Sequence, residues 1–595
     1  MLPYGIIGNC KTCALVKKDA SIDWMCYPSF SSPSIFAKIL DKNGGSLEVH
    51  PLGKYKVAQR YIPNTAVLET TFTSQKHAFK IIDFFPRYKS LLQKDHQLLV
   101  KNNRLIRIIK PLKGKPKLKI SYDPKPNYAI EKCSFKEEEN ELRCTGFSLA
   151  SNINFEKIIN GEIIVLNQAK YIVVGEKQDS FSVQRCMTLL YATKKYWEKW
   201  VETLILPEKH RDAIIRSAIA LKLLTYSETG AIIAASTTSI PEELHSGRNF
   251  DYRYCWVRDA VFCVDALTKI GRHYEARKLM EFFMKNVLEH DFIQIMYGIH
   301  GETNLDEREL PHLEGFKCSS PVRIGNAAYN QVQNDIYGGV VDLLYFFFCY
   351  YNRKQMTKKY WRFLSYLINQ IKFTWHRKDN GIWEFREYPR HYTYSKVMCF
   401  VGVDRAIKLA QFYKKDELAE KWVPLRDEIK EDILKHGYNA EVKSFTLYYG
   451  GTELDAALLL LAYHEFLEPS DPRLINTVKA IYHGLRKGYL VKRYTKEDDF
   501  GMSHSAFTIC AFWLIDALYY IGEEKKARIL YTAITKRSNH LCLFSEDIDI
   551  RTKKQLGNFP QAYTHIAHIN SSILLSEWSA KRKRIEWGVK RKEWF

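Results

Sequence analysis

Two glutamates far apart in the chain offer the most direct chemistry. Glu384 stands in Gly381-Ile382-Trp383-Glu384, and Glu546 in Phe544-Ser545-Glu546-Asp547. Between and before them lie Trp256-Val257-Arg258-Asp259 and Arg493-Tyr494. A carboxyl pair with aromatic rings and Arg/Asp groups is the equipment for cleaving a glycosidic bond. One carboxyl protonates the leaving oxygen, and the other activates water or attacks the sugar. If the Trp383 indole packs on Glu384, it lowers the local polarity, as a general acid requires. Ser545 could position a water or the Glu546 carboxylate, which when ionised could act as general base. Almost all of the 67 acidic residues must be solvated surface groups, so residue type alone distinguishes neither glutamate.

The segment from His245 to Asp259 interleaves arginines and aromatics. Such a segment could bind nucleic acid by stacking and phosphate contacts, but Asp251 and Asp259 would repel phosphates. Arg258-Asp259 sets a donor fork beside an acceptor, which suits neighbouring sugar hydroxyls. A buried structural ion pair is the competing reading. Arg493-Tyr494 and the Arg386, Arg390 and His391 group could bind hydroxyls further out. His565-x-x-His568 has helical spacing but no carboxylate in a metalloprotease arrangement, and reads as two ordinary helix histidines. Cys10-x-x-Cys13 has no second C-x-x-C to complete a zinc site. A Walker A loop, a Gly-x-Gly-x-x-Gly turn and a Gly-x-Ser-x-Gly elbow are all missing from the sequence.

These residues need elements to hold them. Residues 1–185 read as short β-branched and aromatic strands, such as Ala66 to Thr73 and Phe79 to Phe85, separated by Gly, Pro and Asn. Many short strands without long helices predict a β-sandwich. Residues 186–206 hold a linking helix over Tyr191 to Leu204, with Trp197 and Trp200 at helical spacing. From 207 to 580 the pattern is helical. The periodic segments are Ala213 to Leu224, Asp259 to Ile270, Glu275 to Val287, Ile336 to Tyr351, Val401 to Tyr413, Leu454 to Phe466 and Ala506 to Ile521. Paired helices on this scale form a bundle, a solenoid or a closed toroid. Residues 581–595 are a basic tail, read as a solvated end rather than a nucleic-acid or lipid contact.

At 595 residues the chain exceeds one ordinary domain. Its charge, 89 − 67 = +22, predicts a basic solvated surface. Thirteen scattered cysteines do not form a secreted disulfide framework and read as small buried hydrophobes. No signal peptide is visible, and no apolar run approaches the roughly 20 residues of a membrane span. The expectation is therefore a soluble cytoplasmic protein, alone or as a homo-oligomer, with no nucleic-acid or membrane partner.

Taken together, the segments resemble glycoside hydrolase family 15, in its prokaryotic glucoamylase and trehalase-like form. The resemblance runs nearly end to end. It rests on Ser21-Ile22-Asp23-Trp24, Arg248 to Asp259, Met296-Tyr297-Gly298, Glu309-Leu310-Pro311 and Pro321 to Ala328. Gly381 to Glu384, Ser395 to Met398, Leu454-Asp455-Ala456 and Leu556 to Ala562 continue it. The resemblance implies an N-terminal β-sandwich followed by an (α/α)6 barrel, and hydrolysis with inversion by a single displacement. It makes Glu384 the general acid and Glu546 the general base. Trp256, Arg258 and Asp259 would hold the terminal glucose, with Arg493 and Tyr494 near the next subsite and Trp383 also substrate-binding. It requires no cofactor and no metal. The chain departs from the pattern at Cys10, Cys13, Ser31, Phe250, His300, Gly339 and Ser503-His504-Ser505. The last of these lies close to Arg493-Tyr494 and bears on the leaving-group side.

The expected activity is that of an exo-acting inverting α-glucosidase of the glucoamylase type, releasing β-glucose from maltooligosaccharides or glycogen. The alternative is an α,α-trehalase of the same family. A glycoside phosphorylase would lack the base, and a non-catalytic carbohydrate-binding regulator would lack one of the two carboxyls.

Overall fold

The computed structural model describes residues 2–89, 99–101, 103–138, 141–176, 181–290, 293–351, 356–386 and 389–576. The basic tail expected at 581–595 lies outside the described residues.

The N-terminal part is built of two antiparallel sheets. The first runs in the order Tyr4–Gly8, Cys13–Lys17, Ile22–Cys26, Ser46–Pro51, Lys117–Asp123 and Ile164–Val165, with Ser34–Phe36 beside Ile22–Cys26. The second runs from Lys136–Glu138 through Glu141–Cys144, Phe147–Ser151, Lys170–Gly175, Arg104–Lys113, Ala78–Phe84 and Leu68–Thr73 to Lys56–Tyr61. Side chains of the second sheet reach the first. The Tyr61 hydroxyl accepts from Ile6 N and donates to Ile6 O, both at 2.8 Å. Arg107 of the second sheet is fully buried. It pairs with Asp83 at 2.7 Å and donates to Ala20 O at 2.5 Å. A buried charge held by its own strand neighbour and a carbonyl is satisfied rather than stranded.

A long helix, α1 (Val183–Glu202), follows, capped by Ser182 accepting from Arg185 N. It starts earlier than the apolar spacing suggests, because the capping serine rather than the first aromatic sets its end.

The remainder is helical: α2 (Arg211–Leu224), α3 (Val257–Lys269), α4 (His273–His290), α5 (Asp335–Phe346), α6 (Lys358–Thr374), α7 (Thr393–Phe412), α8 (Asp416–His436), α9 (Pro472–Gly484), α10 (Thr508–Tyr520), α11 (Glu524–Thr535) and α12 (Ala562–Leu575). Packing among the described residues forms a closed cycle. Helix α3 packs on α5, α5 on α7, and α7 on the 3-10 segment Ala456–Leu461. That segment packs on α10, α10 on α12, and α12 back on α3. Each of these carries an outer neighbour: α4 on α3, α6 on α5, α8 on α7, α9 on the 3-10 segment, α11 on α10, and α2 on α12. Of the inner elements, Thr508–Tyr520 is apolar nearly all round. Of the outer ones, Lys358–Thr374 is amphipathic, which is what burial on all faces or on one face demands.

The stretch Leu454 to Phe466 is not a regular helix. Asp455 accepts from Ala457 N at 2.8 Å and starts a 3-10 segment that ends at Leu461. The two parts of the molecule share one apolar core. Trp24 of the first sheet donates to Ser236 O at 2.7 Å, and Asn539 donates to Leu2 O and Tyr4 O.

The cysteines mostly behave as small hydrophobes. Cys133 and Cys144 are an exception and form a disulfide. Among the free cysteines only Cys318 and Cys542 are exposed. Among the described residues no helix is long and apolar enough to cross a membrane.

Candidate active site

A cleft of about 880 Å³, counting its open mouth, lies over the starts of the inner helices. Its lining includes Trp256 just before α3, Phe507 just before α10 and Gln561 just before α12. These three inner helices therefore aim their N-terminal ends toward the cleft, and the positive ends of their dipoles favour carboxylates there.

Glu384 is displayed by a tight turn. Glu384 N donates to Gly381 O, and Phe385 N donates to Asn380 O, both at 3.1 Å. Asn380 Nδ2 closes the turn on Phe385 O at 2.7 Å. Gly381 has φ +66°, and a Cβ there would lie 2.8 Å from the Tyr392 ring. Glu384 itself takes φ +62°, a conformation that costs a non-glycine residue on the order of 1 kcal/mol. The turn thus spends local strain to aim one carboxyl into the cleft.

The groups around Glu384 are not those the sequence suggests. The Trp383 indole turns away and donates to Asp455 Oδ1 at 2.8 Å, with Tyr494, Phe507 and Trp513 against its ring. It is Trp256 whose Nε1 donates to Glu384 Oε1, at 2.8 Å, while Arg258 approaches the same oxygen at 3.3 Å. Arg258 also donates to Ile382 O at 2.9 Å. Burial works against the Arg258 charge, but Glu384 and Asp259 hold it firmly protonated. Burial raises the Asp259 carboxyl to about 6, with Arg258 opposing the rise.

Glu546 sits on the other side, almost fully buried, behind Tyr252 and Arg493, which line the cleft. It precedes the short strand Asp547–Asp549, which pairs with Ser505–Phe507 and Gln555–Leu556. Tyr252 donates to Glu546 Oε1 at 2.6 Å, and Asn558 N donates to Oε2 at 3.0 Å. Gly557 has φ +72°, and a Cβ on it would lie 2.6 Å from Glu546 Cβ, so only glycine fits. Ser545 does not reach the Glu546 carboxylate. Its hydroxyl donates to Asp547 O at 2.8 Å and fixes the backbone instead.

Three buried carboxylates meet here. Glu242, Glu546 and Asp547 have ligand-type oxygens all within 4.8 Å of one another, the one grouping among the described residues with the donors for a cation. Arg493 reaches all three. It donates to Glu242 through a short bond, to Asp547 at 3.0 Å, and approaches Glu546 at 3.4 Å. One guanidinium supplies the positive charge at this point but cannot neutralise three carboxylates. Burial, then repulsion from Glu242 and Asp547, pushes Glu546 well above the usual range, against Arg493 and the Tyr252 bond. Burial lifts Asp547 to about 7, opposed by Arg493 and reinforced by Glu242.

The structure sorts the other candidates. Trp256, Arg258, Asp259, Trp383, Arg493, Tyr494 and Arg386 line the cleft. Arg253 and Asp251 do not. They form a buried ion pair at 2.6 Å, and Arg253 reaches across to Ser32 O. Arg390 lies over the Tyr448 ring and His391 beside Tyr449, away from the lining. His565 and His568 both bond Ser217 through Nδ1, at 2.9 and 2.8 Å. Burial lowers both, His568 to about 3, so they are neutral core groups. Cys10 is buried with its thiol on Lys222 O. Sequence reasoning passed over Glu242, Tyr252, Gln561 and Tyr563. Only Tyr252 carried a local signal, in the same loop as Trp256 and four residues before it.

The match to the model of glycosyl hydrolases family 15 covers residues 208–572, and a trehalase-like N-terminal model matches residues 3–154. A trehalase of Mycobacterium tuberculosis is 35% identical over 96% of this chain and 88% of its own. A trehalase of Thermoplasma volcanium is 32% identical over 97% of this chain and 94% of its own. The crystal structure of a bacterial glucoamylase complexed with acarbose shares the fold, with a TM-score of 0.68 at 15% identity, covering 96% of this chain and 93% of the other. With Glu384, an Arg-Asp pair and aromatic walls lining one cleft, Glu546 buried behind it, and matches over most of its length, the chain belongs to glycosyl hydrolases family 15 and is a glycoside hydrolase.

Proposed function

We propose that this protein is an α,α-trehalase that hydrolyses trehalose with inversion. The reading is carried by the trehalase relatives, which align over nearly the whole chain at about a third identity. They favour trehalose over the maltooligosaccharides that the sequence motifs alone put first. Glu384 is assigned as general acid and Glu546 as general base. Trp256 and Arg258 orient the acid, while Tyr252, Asn558 N and Arg493 orient the base. In this mechanism Glu384 donates its proton to the glycosidic oxygen as the C1–O bond breaks. Glu546 takes a proton from water, whose oxygen bonds to C1 from the opposite face. Trp256, Arg258, Asp259 and Tyr563, which line the cleft, are assigned to the first glucose. In the same reading, the closed cycle of inner and outer helices is an (α/α)6 barrel, and the two sheets form a β-sandwich. The chain divides at about 1–185, 186–206 and 207–580.

Trehalose is symmetric, so inversion at one C1 must give one β-glucose and one α-glucose. Proton NMR of the reaction in its first minutes should show the two anomers rising in equal amounts. β-Glucose from maltotetraose at a faster rate would restore the glucoamylase reading. Two α-glucose from trehalose would overturn inversion.

A further inference from the structure

The segment 495–504 crosses the open side of the cleft and is fastened on both flanks. Its central turn is bound by the loop before α3. Arg248 donates to Asp498 Oδ2 at 2.7 Å and to Gly501 O at 2.7 Å, and Tyr494 donates to Asp498. The Arg248–Asp498 pair is nearly buried. Asp498 also accepts from Phe500 N at 2.9 Å, and Gly501, at φ +83°, lets the chain turn back. The turn thereby holds Phe500 against Phe250, ring edge to face at 5.6 Å. Opposite, Arg386 N donates to Asp499 Oδ2 at 2.6 Å, and the Arg386 guanidinium lies over both Phe250 and Phe500. At the far end His504 N and Nδ1 meet the Glu243 carboxylate at 2.8 and 3.1 Å.

The groups that would hold the first sugar, Trp256, Asp259 and Tyr563, are buried at the helix starts. Phe250, Asp499 and Phe500 are only partly buried, so they stand at the mouth. An ion pair, a backbone bond and an aromatic contact from three different loops converge on a wall of the cleft, which holds it in one position.

We propose that the strap 495–504, latched by Arg248–Asp498, Arg386–Asp499 and Glu243–His504, is the device that limits the substrate to two sugar rings. This rests on the disaccharide reading above. Phe500 and Phe250 close the space a third ring would need. His504 supplies the outer fastening to Glu243.

The test compares kcat/KM for trehalose, for glucosyltrehalose (trehalose lengthened by one α-1,4 glucose) and for α-glucosyl fluoride, which fills only the first position. The wild-type protein should cleave glucosyltrehalose at least tenfold less efficiently than trehalose. Phe500→Ala should raise the three-ring to two-ring ratio at least fivefold. His504→Ala, whose side chain is 71% exposed and whose loss should leave the fold intact, should raise it about threefold with glucosyl fluoride turnover unchanged. Equal wild-type rates on the two sugars would overturn the proposal, and so would a ratio that both variants leave unchanged. If trehalose is inert while glucosyl fluoride is turned over, the trehalase reading fails. The same ratio taken with maltose and maltotriose then decides the strap separately.

Discussion

The Tyr252 hydroxyl donates to Glu546 Oε1 at 2.6 Å, and Arg493 approaches that same oxygen at 3.4 Å. The other carboxylate oxygen is taken by Asn558 N at 3.0 Å. A base held on both oxygens can accept a proton in only one orientation, and the phenol is the strongest of its neutral donors by length. Tyr252→Phe removes that bond without opening a cavity. It should lower kcat by about 10- to 100-fold, which matches the roughly 1.5–3 kcal/mol of one hydrogen bond to a charged group. Far-UV circular dichroism should be unchanged. A variant with wild-type kcat would show that Tyr252 does not orient the base.

Removing the proposed acid or base should be harsher. Glu384→Gln and Glu546→Gln keep shape but cannot transfer the proton, and each should cut turnover on trehalose by about 10³-fold or more. α-Glucosyl fluoride separates the two. Its leaving fluoride needs little protonation, so Glu384→Gln should retain far more activity on it than on trehalose, while Glu546→Gln should lose both. Parallel losses in both variants on both substrates would overturn the division of roles.

The fold and part of the site were legible in local pattern. Alternating strands and the largely buried helices declare themselves by period, as Ala213 to Leu224 does for the outer helix Arg211–Leu224 and Ala506 to Ile521 for the inner helix Thr508–Tyr520. The helices Lys358–Thr374, Asp416–His436, Pro472–Gly484 and Glu524–Thr535 carry a single apolar stripe among charges, a diluted signal, and the inner Ala562–Leu575 also escapes the sequence pattern. The partners of the two glutamates were illegible for another reason. Trp256 reaches Glu384 across 128 positions, and Tyr252 reaches Glu546 across 294. Adjacency in sequence suggested Trp383 and Ser545 instead, and the turn at Glu384 and the strand after Glu546 aim both elsewhere. Glu242 had no signal at all, since it acts on Glu546 and Arg493 only where the fold brings them together.

The turn that presents Glu384 begins at a buried acid. Asp379 accepts from Asn334 N at 2.9 Å, while its Oδ1 has no partner. Burial raises this carboxyl to about 7, with the nearby Ser395 hydroxyl and the bond from Asn334 N opposing the rise. The sign follows from a folded value above the unfolded one. The contribution to stability is complete below the unfolded value near 3.8 and is lost as pH rises through the folded value. Asp379→Asn removes the titration and keeps an acceptor for Asn334 N. Its urea midpoint should exceed that of the wild type increasingly from pH 4 to 7, by at most about 1.4 kcal/mol per pH unit, and then level off. A difference independent of pH would show that Asp379 does not carry this burden.

Glu242 should govern the pH at which the base works. The groups facing Glu546 are Glu242, Asp547, Arg493 and Tyr252, and all are accounted for in one buried cluster. Burial and the two carboxylates push Glu546 well above the ordinary glutamate range. The base must be ionised, so the acid limb of kcat/KM should lie above that range too. Glu242→Gln removes one negative charge near Glu546 and frees Arg493 to pair more closely with the remaining two carboxylates. Both effects favour the ionised base, so the acid limb must move to lower pH. A merely structural role for Glu242 would lower the whole profile without moving its acid limb. A shift to higher pH would mean that Arg493 needs Glu242 to face the base, and the electrostatic account would fall.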